Sequence, residues 1–208
     1  MDLLVVGLGN PGTEYEGTRH NIGADAVERL VARHHGSLKL EKGLHARVGQ
    51  IRIAEHPVLC AVPLTYMNES GRAVAPLVRR AGIDADADAD AEDTTSGSGP
   101  AWPARLVIIH DELDLPSGRV KVKAGGGTAG NNGLKSIHAH LHTADYLRVR
   151  IGIGKPPGRQ SGADYVLKRP GADERGHLAV AAEVAADAIE LIVTHGVEVT
   201  MNRINTAE

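Results

Sequence analysis

Three short stretches constrain this chain most. Leu3 to Leu8, Val58 to Val62 and Leu106 to His110 are apolar at nearly every position. A strand with one solvated face alternates apolar and polar residues, whereas a run apolar throughout needs cover on both faces. Such strands belong at the centre of a parallel sheet with helices on either side. Further strands are predicted at Ala46 to Ile53, Arg119 to Lys123 and Leu147 to Ile153.

Helical stripes lie between them. Ile22, Ala26, Val27, Leu30 and Val31 form one, with Gly36 as a stop. Ala73, Val74, Leu77, Val78 and Ala81 form a second, stopped by Gly82. A third helix is predicted from near Asn132 to Leu141. The last runs from Asp173 to His195, with Leu178, Ala181, Ala182, Ala185, Ala188, Ile189 and Ile192 apolar. This alternation predicts an α/β fold, a single-domain three-layer sandwich over residues 1–208. Its central sheet is expected to be mixed, largely parallel and flanked by helices. With aromatics at 2% and no Phe, the core must be built from Val, Ile, Leu and Ala.

One segment cannot join that core. Residues 84–100 hold no apolar residue larger than Ala, so burial cannot offset the entropy of ordering them. They are expected to form a disordered acidic insertion within the single domain. They carry Asp84, Asp86, Asp88, Asp90, Glu92 and Asp93, so setting these six aside moves the formal charge from -3 to +3. The rest of the chain is then mildly basic, and the acidic total does not exclude a nucleic-acid partner.

Cys60 is the sole cysteine and sits inside an apolar run, so it is expected to be a small buried hydrophobe in a reducing compartment. Residues 1–6 lack the basic segment of a signal peptide, and no apolar run approaches the roughly 20 residues of a membrane span. A cytoplasmic protein is expected.

Gly7-Leu8-Gly9-Asn10-Pro11-Gly12 follows the first strand and matches G-x-G-x-x-G. A dinucleotide site would need the helix to open within that turn. Here the helical stripe begins only at Ile22, and Pro11 removes a backbone donor. The residues between are more informative: Thr18-Arg19-His20-Asn21. Further polar clusters follow other strands: Thr65-Tyr66-Met67-Asn68, His110-Asp111-Glu112, and Asn131-Asn132 after Gly125-Gly126-Gly127. Open α/β sheets bind ligands at the carboxyl ends of their strands. Asn10, His20, Asn68, Asp111 and Asn132 can therefore converge on one cleft.

The chemistry of that set is coherent. An imidazole titrating near about pH 6.5 can take a proton from water. A carboxylate on its other nitrogen fixes the tautomer and stabilises the imidazolium. Asn side chains donate and accept, so they can hold a peptide backbone or orient water. No G-x-S-x-G motif and no His/Cys cluster of zinc spacing occurs, which favours direct attack by water without metal or other cofactor. Blander readings stay open: Asn68 can cap the helix beginning near Glu69, and Asp111 can be a turn residue. The His34-His35 pair and His138, His140 and His142 read as helix-surface residues.

Five ordered blocks resemble the bacterial peptidyl-tRNA hydrolases: GLGNPGTEYEGTRHNIG at 7–23, PLTYMNESG at 63–71, HDELDLPSG at 110–118, KVKAGGGTAGNNGLKSI from Lys121, and RVRIGIG at 148–154. The resemblance implies hydrolysis of the ester bond between a peptide and the tRNA 3′ end. It implies His20 as the base, Asp111 as its orienting carboxylate and Asn10 as a group placing the water and the terminal sugar or carbonyl. It implies Asn68 and Asn132 as clamps on the peptide, with Tyr15, Tyr66, Met67 and Asn131 lining the same groove. Lys121, Lys123, Arg148 and Arg150 would meet tRNA phosphates. A monomer with no stable protein partner is implied as well.

The phosphate row also follows from spacing. Arg119, Lys121 and Lys123 alternate along one strand and Arg148 and Arg150 along another, so each set shares a face. Scarce aromatics argue against stacking on bases. Two departures from the family pattern stand out: Asn131 replaces a usual His, and Ala129 a usual Gly. Ala restricts the backbone, so a stiffer or differently gated loop over the groove is expected. A relative that binds RNA without cutting it is the competing reading.

Overall fold

The computed structural model describes residues 1–83 and 105–206. The acidic insertion expected at 84–100 lies outside the described residues. Seven strands form one sheet: β1 (Leu3–Gly7), β2 (Lys39–Glu41), β3 (Ala46–Ile53), β4 (His56–Pro63), β5 (Leu106–Glu112), β6 (Val120–Ala124) and β7 (Leu147–Gly152), in the order β2-β3-β4-β1-β5-β7-β6. The pairs β4–β1, β1–β5 and β5–β7 are parallel, and the pairs nearer the edges are antiparallel. The three apolar runs thus occupy the middle as neighbours, as their composition demands. Leu4 pairs with Leu59 on one side and with Leu106 on the other.

The helices are α1 (Ile22–Arg33), α2 (Ser70–Ala81), α3 (Asn132–Leu141), α4 (Gly162–Val166), α5 (Ala172–His195) and α6 (Val197–Thr206). Alternation along the strands feeds two cores. Leu3, Val5, Val107 and Ile109 face α1 and α5, meeting Val27, Leu30, Ala182 and Ile189. Leu4, Val6, Leu106 and Ile108 face α2 and α3, meeting Val74, Leu77, Leu134 and Ile137. Each such Leu, Ile or Val gains about 1.5–3 kcal/mol on leaving water. Gly82 caps α2 in the left-handed region, as its place after the apolar stripe predicts.

Three elements were not foreseen. β2 has only three residues and α4 only five, too few to show a period. α6 covers the sheet edge: Asn205 accepts from Val122 N at 2.8 Å and donates to Val122 O at 2.9 Å, occupying the free side of β6.

β1 leads into α1 on one face, and its neighbour β4 leads into α2 on the other. Chains leaving adjacent strands in opposite directions open a crevice at their carboxyl ends. The start of α1 is pressed onto this end of the sheet. Leu8 N donates to Ile109 O and Ala24 N to Leu8 O, both at 3.0 Å. A Cβ on Gly23 would lie 2.2 Å from Ile109 O, and one on Gly7 would lie 2.2 Å from Gly23 O. Gly23→Ala must therefore push α1 off the sheet. We expect a loss of about 3 kcal/mol and a Tm lower by about 10 °C. A Tm within about 2 °C of wild type in a thermal melt would contradict this packing.

Candidate active site

β5 continues past the apolar run, so Asp111 and Glu112 are strand residues paired with Ile151 and Gly152, not turn residues. Asp111 is 4% exposed. His20 sits on a single 3-10 turn, Arg19–Asn21, between the β1 loop and α1. Its Nδ1 lies 2.9 Å from Asp111 Oδ1. A carboxylate accepts, so Nδ1 carries the proton and Nε2 keeps its lone pair. His20 is 8% exposed and lines a cleft of about 240 Å³ together with Asp111, Asn131, Asn132 and Val166.

The turn bearing His20 is anchored behind it. Arg19 places Nε and Nη2 on the two carboxylate oxygens of Glu174 at 2.7 and 2.5 Å, and Nη1 donates to Lys168 O at 3.1 Å. Its guanidinium also lies 4.1 Å from the Tyr165 ring centroid. Hydrogen bonding to Glu174 raises the Arg19 pKa further, so the clamp stays charged. Asn21 fixes the facing loop by accepting from Asn10 N at 2.8 Å and donating to Asn10 O at 2.9 Å. Adjacency to His20 was the only sequence signal for Arg19, whose partner Glu174 is 155 residues away, whereas Asn21 meets Asn10 only 11 residues before it.

Asn10 Oδ1 accepts from Met67 N at 2.7 Å, joining the loops that follow β1 and β4 across the crevice. Tyr15 and Tyr66 meet edge to face with centroids 6.4 Å apart, and Tyr66 is 54% exposed. Asn68 is exposed, and neither α2 nor the turn Met67–Glu69 has a side-chain cap, so its capping alternative is not realised. Met67 departs from expectation. It is 4% exposed and packs in the core beside Gly133 and Leu8, beneath the groove instead of lining it.

Asn131 caps α3, accepting from Leu134 N at 3.1 Å, while its Nδ2 reaches Asp111 Oδ1 at 3.4 Å. An amide can do both because it donates and accepts. Asn132, the first residue of α3, is exposed at the cleft. Ala129 adopts φ +47°, the left-handed region that costs a residue with a Cβ about 1 kcal/mol.

The basic rows do lie side by side: Lys121 pairs with Arg150 and Lys123 with Arg148. Two members are already engaged. Arg150 donates to Glu112 Oε2 from Nε at 3.0 Å and Nη2 at 2.9 Å. Arg148 is 3% exposed and turned inward, which removes it from the phosphate-facing surface expected of it. Alternation identifies a shared face but not what covers that face.

Other groups stay outside this chemistry. Burial pushes the Cys60 thiol up to about 12, as its apolar run implies. Burial pulls the pKa of His110 down, and its Nδ1 donates to Asp111 O at 2.7 Å. A second cavity of about 390 Å³ adjoins the site through Asn10 and Asn21 and is also lined by Asp25, Glu28 and Arg47, but not by His20 or Asp111. There, burial and Glu28 push Asp25 up to about 6 against the pull of Arg29. Among the described residues, no group of three or more His, Cys, Asp or Glu is placed to hold a metal ion.

The chain is similar to known proteins over nearly its whole length. The family model described as "Peptidyl-tRNA hydrolase" matches residues 4–88 and 99–208, leaving out only residues 1–3 and part of the acidic segment. A curated relative named peptidyl-tRNA hydrolase from Nocardia farcinica is 46% identical over 202 residues, covering 97% of this chain and 95% of its own. Its namesake from Cutibacterium acnes is 41% identical over 213 residues, covering 98% of each. The crystal structure of peptidyl-tRNA hydrolase from Acinetobacter baumannii superposes with a TM-score of 0.84 at 35% identity, covering 99% of this chain and 95% of that one. With the match running through every block that builds the cleft, the chain belongs to the peptidyl-tRNA hydrolase family.

Proposed function

We propose that this chain hydrolyses the ester bond joining a peptide to the 3′ end of tRNA, with His20 as general base. The observation that carries the reading is the buried His20–Asp111 pair at the cleft, which leaves Nε2 for a water. That nitrogen takes a proton as the water oxygen attacks the ester carbonyl, and Asp111 stabilises the resulting imidazolium. The tetrahedral intermediate collapses by expelling the ribose oxygen, which recovers the proton from His20. The products are a peptide with a free carboxyl group and an uncharged tRNA.

The asparagines supply position. Asn10 has committed its oxygen to Met67 N, so its amide nitrogen remains to orient the water, carbonyl or terminal sugar. Asn132 and Asn68 hold the peptide backbone from either side, with Tyr15 and Tyr66 on the same groove. Lys121 and Lys123 meet tRNA phosphates, assisted by Arg150 to the extent that Glu112 leaves its charge available. No cofactor enters these steps. We place the protein in the cytoplasm as a monomer. No helix among the described residues is long and apolar enough to cross a membrane.

The test is release of an N-acetylated amino acid from its tRNA, with the unblocked aminoacyl-tRNA as control. Turnover of the blocked ester alone is expected, falling as salt is raised because few phosphate contacts survive screening. His20→Ala should lower kcat about 100- to 10,000-fold. Activity within about threefold of wild type would sink the assignment of the base. A folded wild-type protein that binds tRNA without cutting it would instead be the non-catalytic relative.

Ala129→Gly probes the peptide side. Removing the left-handed strain should loosen the loop and raise turnover about twofold to threefold, with stability changed by less than about 1 kcal/mol. Turnover at or below the wild-type rate would show that Ala129 does not limit the loop.

A further inference from the structure

Arg148 stands on β7 opposite Lys123, yet it is buried and, among the described residues, bonds to backbone carbonyls and not to a carboxylate. Nη2 donates to Gly126 O at 2.6 Å and to Ala144 O at 3.2 Å, and Nη1 donates to Gly127 O. The guanidinium carbon lies 4.9 Å from the ring centroid of Tyr146, which is itself fully buried. A cation taken out of water is retained where its donors are used, and here Gly126 O, Gly127 O and Ala144 O take three of the five N–H donors, while buried Nε has no partner among the described residues.

That loop has little else to hold its middle. Gly125, Gly126, Ala129 and Gly130 all have positive φ, so it follows no regular ladder. Its backbone bonds lie at the two ends, Gly125 N to Tyr146 O at 3.0 Å and Asn131 N to Thr128 O at 2.9 Å. Between them stand the two carbonyls that Arg148 binds. After Thr128, Ala129 and Gly130 come Asn131, which reaches Asp111, and Asn132, which lines the cleft.

We propose that Arg148 is a positioning residue: by gripping the carbonyls of Gly126 and Gly127 it fixes the loop that presents Asn131 and Asn132 to the peptide end of the substrate. The peptide part rests on the function proposed above; the tether itself does not. Lysine cannot replace it, because one ammonium nitrogen cannot reach carbonyls that the planar fork of arginine spans. The sheet beneath does not need the tether, since β5 and the turn bearing His20 have their own anchors in β7 and Glu174.

The experiment compares wild type with Arg148→Gln and Arg148→Lys in two readouts. In hydrogen exchange without substrate, loop amides at 126–131 should exchange about tenfold faster in R148Q while β1 and β5 keep their protection. With a peptidyl-tRNA carrying a short peptide, KM should rise about tenfold and kcat stay within about threefold, because the loop binds ground and transition states alike. R148K should fall between wild type and R148Q in both, and it carries the comparison if R148Q does not fold. Unchanged loop exchange and KM in a folded variant would overturn the proposal. So would protection lost evenly across the sheet with kcat falling and KM steady, the pattern of a residue needed only for packing. A wild-type chain without turnover would sink the hydrolase reading, and exchange alone would then decide the tether.

Discussion

The first turn of α1 lies against the carboxyl ends of β1 and β5 at a distance no Cβ would allow. Gly7 and Gly23 permit that approach, and the bonds from Leu8 N to Ile109 O and from Ala24 N to Leu8 O fix it. Much of the site follows. With α1 held there, the turn before it can only pass over the end of the sheet, and His20 meets the residue two places beyond Ile109. The same approach opens the crevice between β1 and β4 that Asn10 and Met67 bridge.

The resulting site has two halves held by different kinds of bond. Thr18, Arg19, His20, Asn21, His110, Asp111 and Glu112 are all buried, and burying so many polar groups is tolerable only when they are paired. Arg19 has Glu174, Asn21 has Asn10, His20 has Asp111, and Glu112 has Arg150. These bonds tie the turn that carries the base to β5, through it to β7, to the loop after β1 and to α5. The asparagine half is built on a glycine-rich loop with Ala129 in a left-handed conformation, held at its middle by Arg148.

What could be read from the chain follows from which interactions are local. The central strands were legible because being covered on both faces forces runs such as Leu106 to Ile109 to be apolar throughout. The helices were legible from their stripes, and the site's polar clusters from their places after strands; their roles came from the family resemblance. What escaped was non-local. Arg19 and Glu174 are 155 residues apart, and nothing near either announces the other. Arg148 and Arg150 alternate as a solvated face would, but the loop from Gly125 covers one and Glu112 engages the other. Met67 sits beside an exposed tyrosine, yet the short turn it starts points it into the core against Gly133.

We propose that the fold holds His20 as a base with Nδ1–H directed at Asp111 and Nε2 open to the cleft. Two-bond proton–nitrogen NMR of the neutral His20 imidazole reads this directly. The account predicts the Nδ1–H tautomer in wild type, and loss of that preference in Asp111→Ala. A dominant Nε2–H tautomer in the wild-type protein would contradict it, because no lone pair would then face the water.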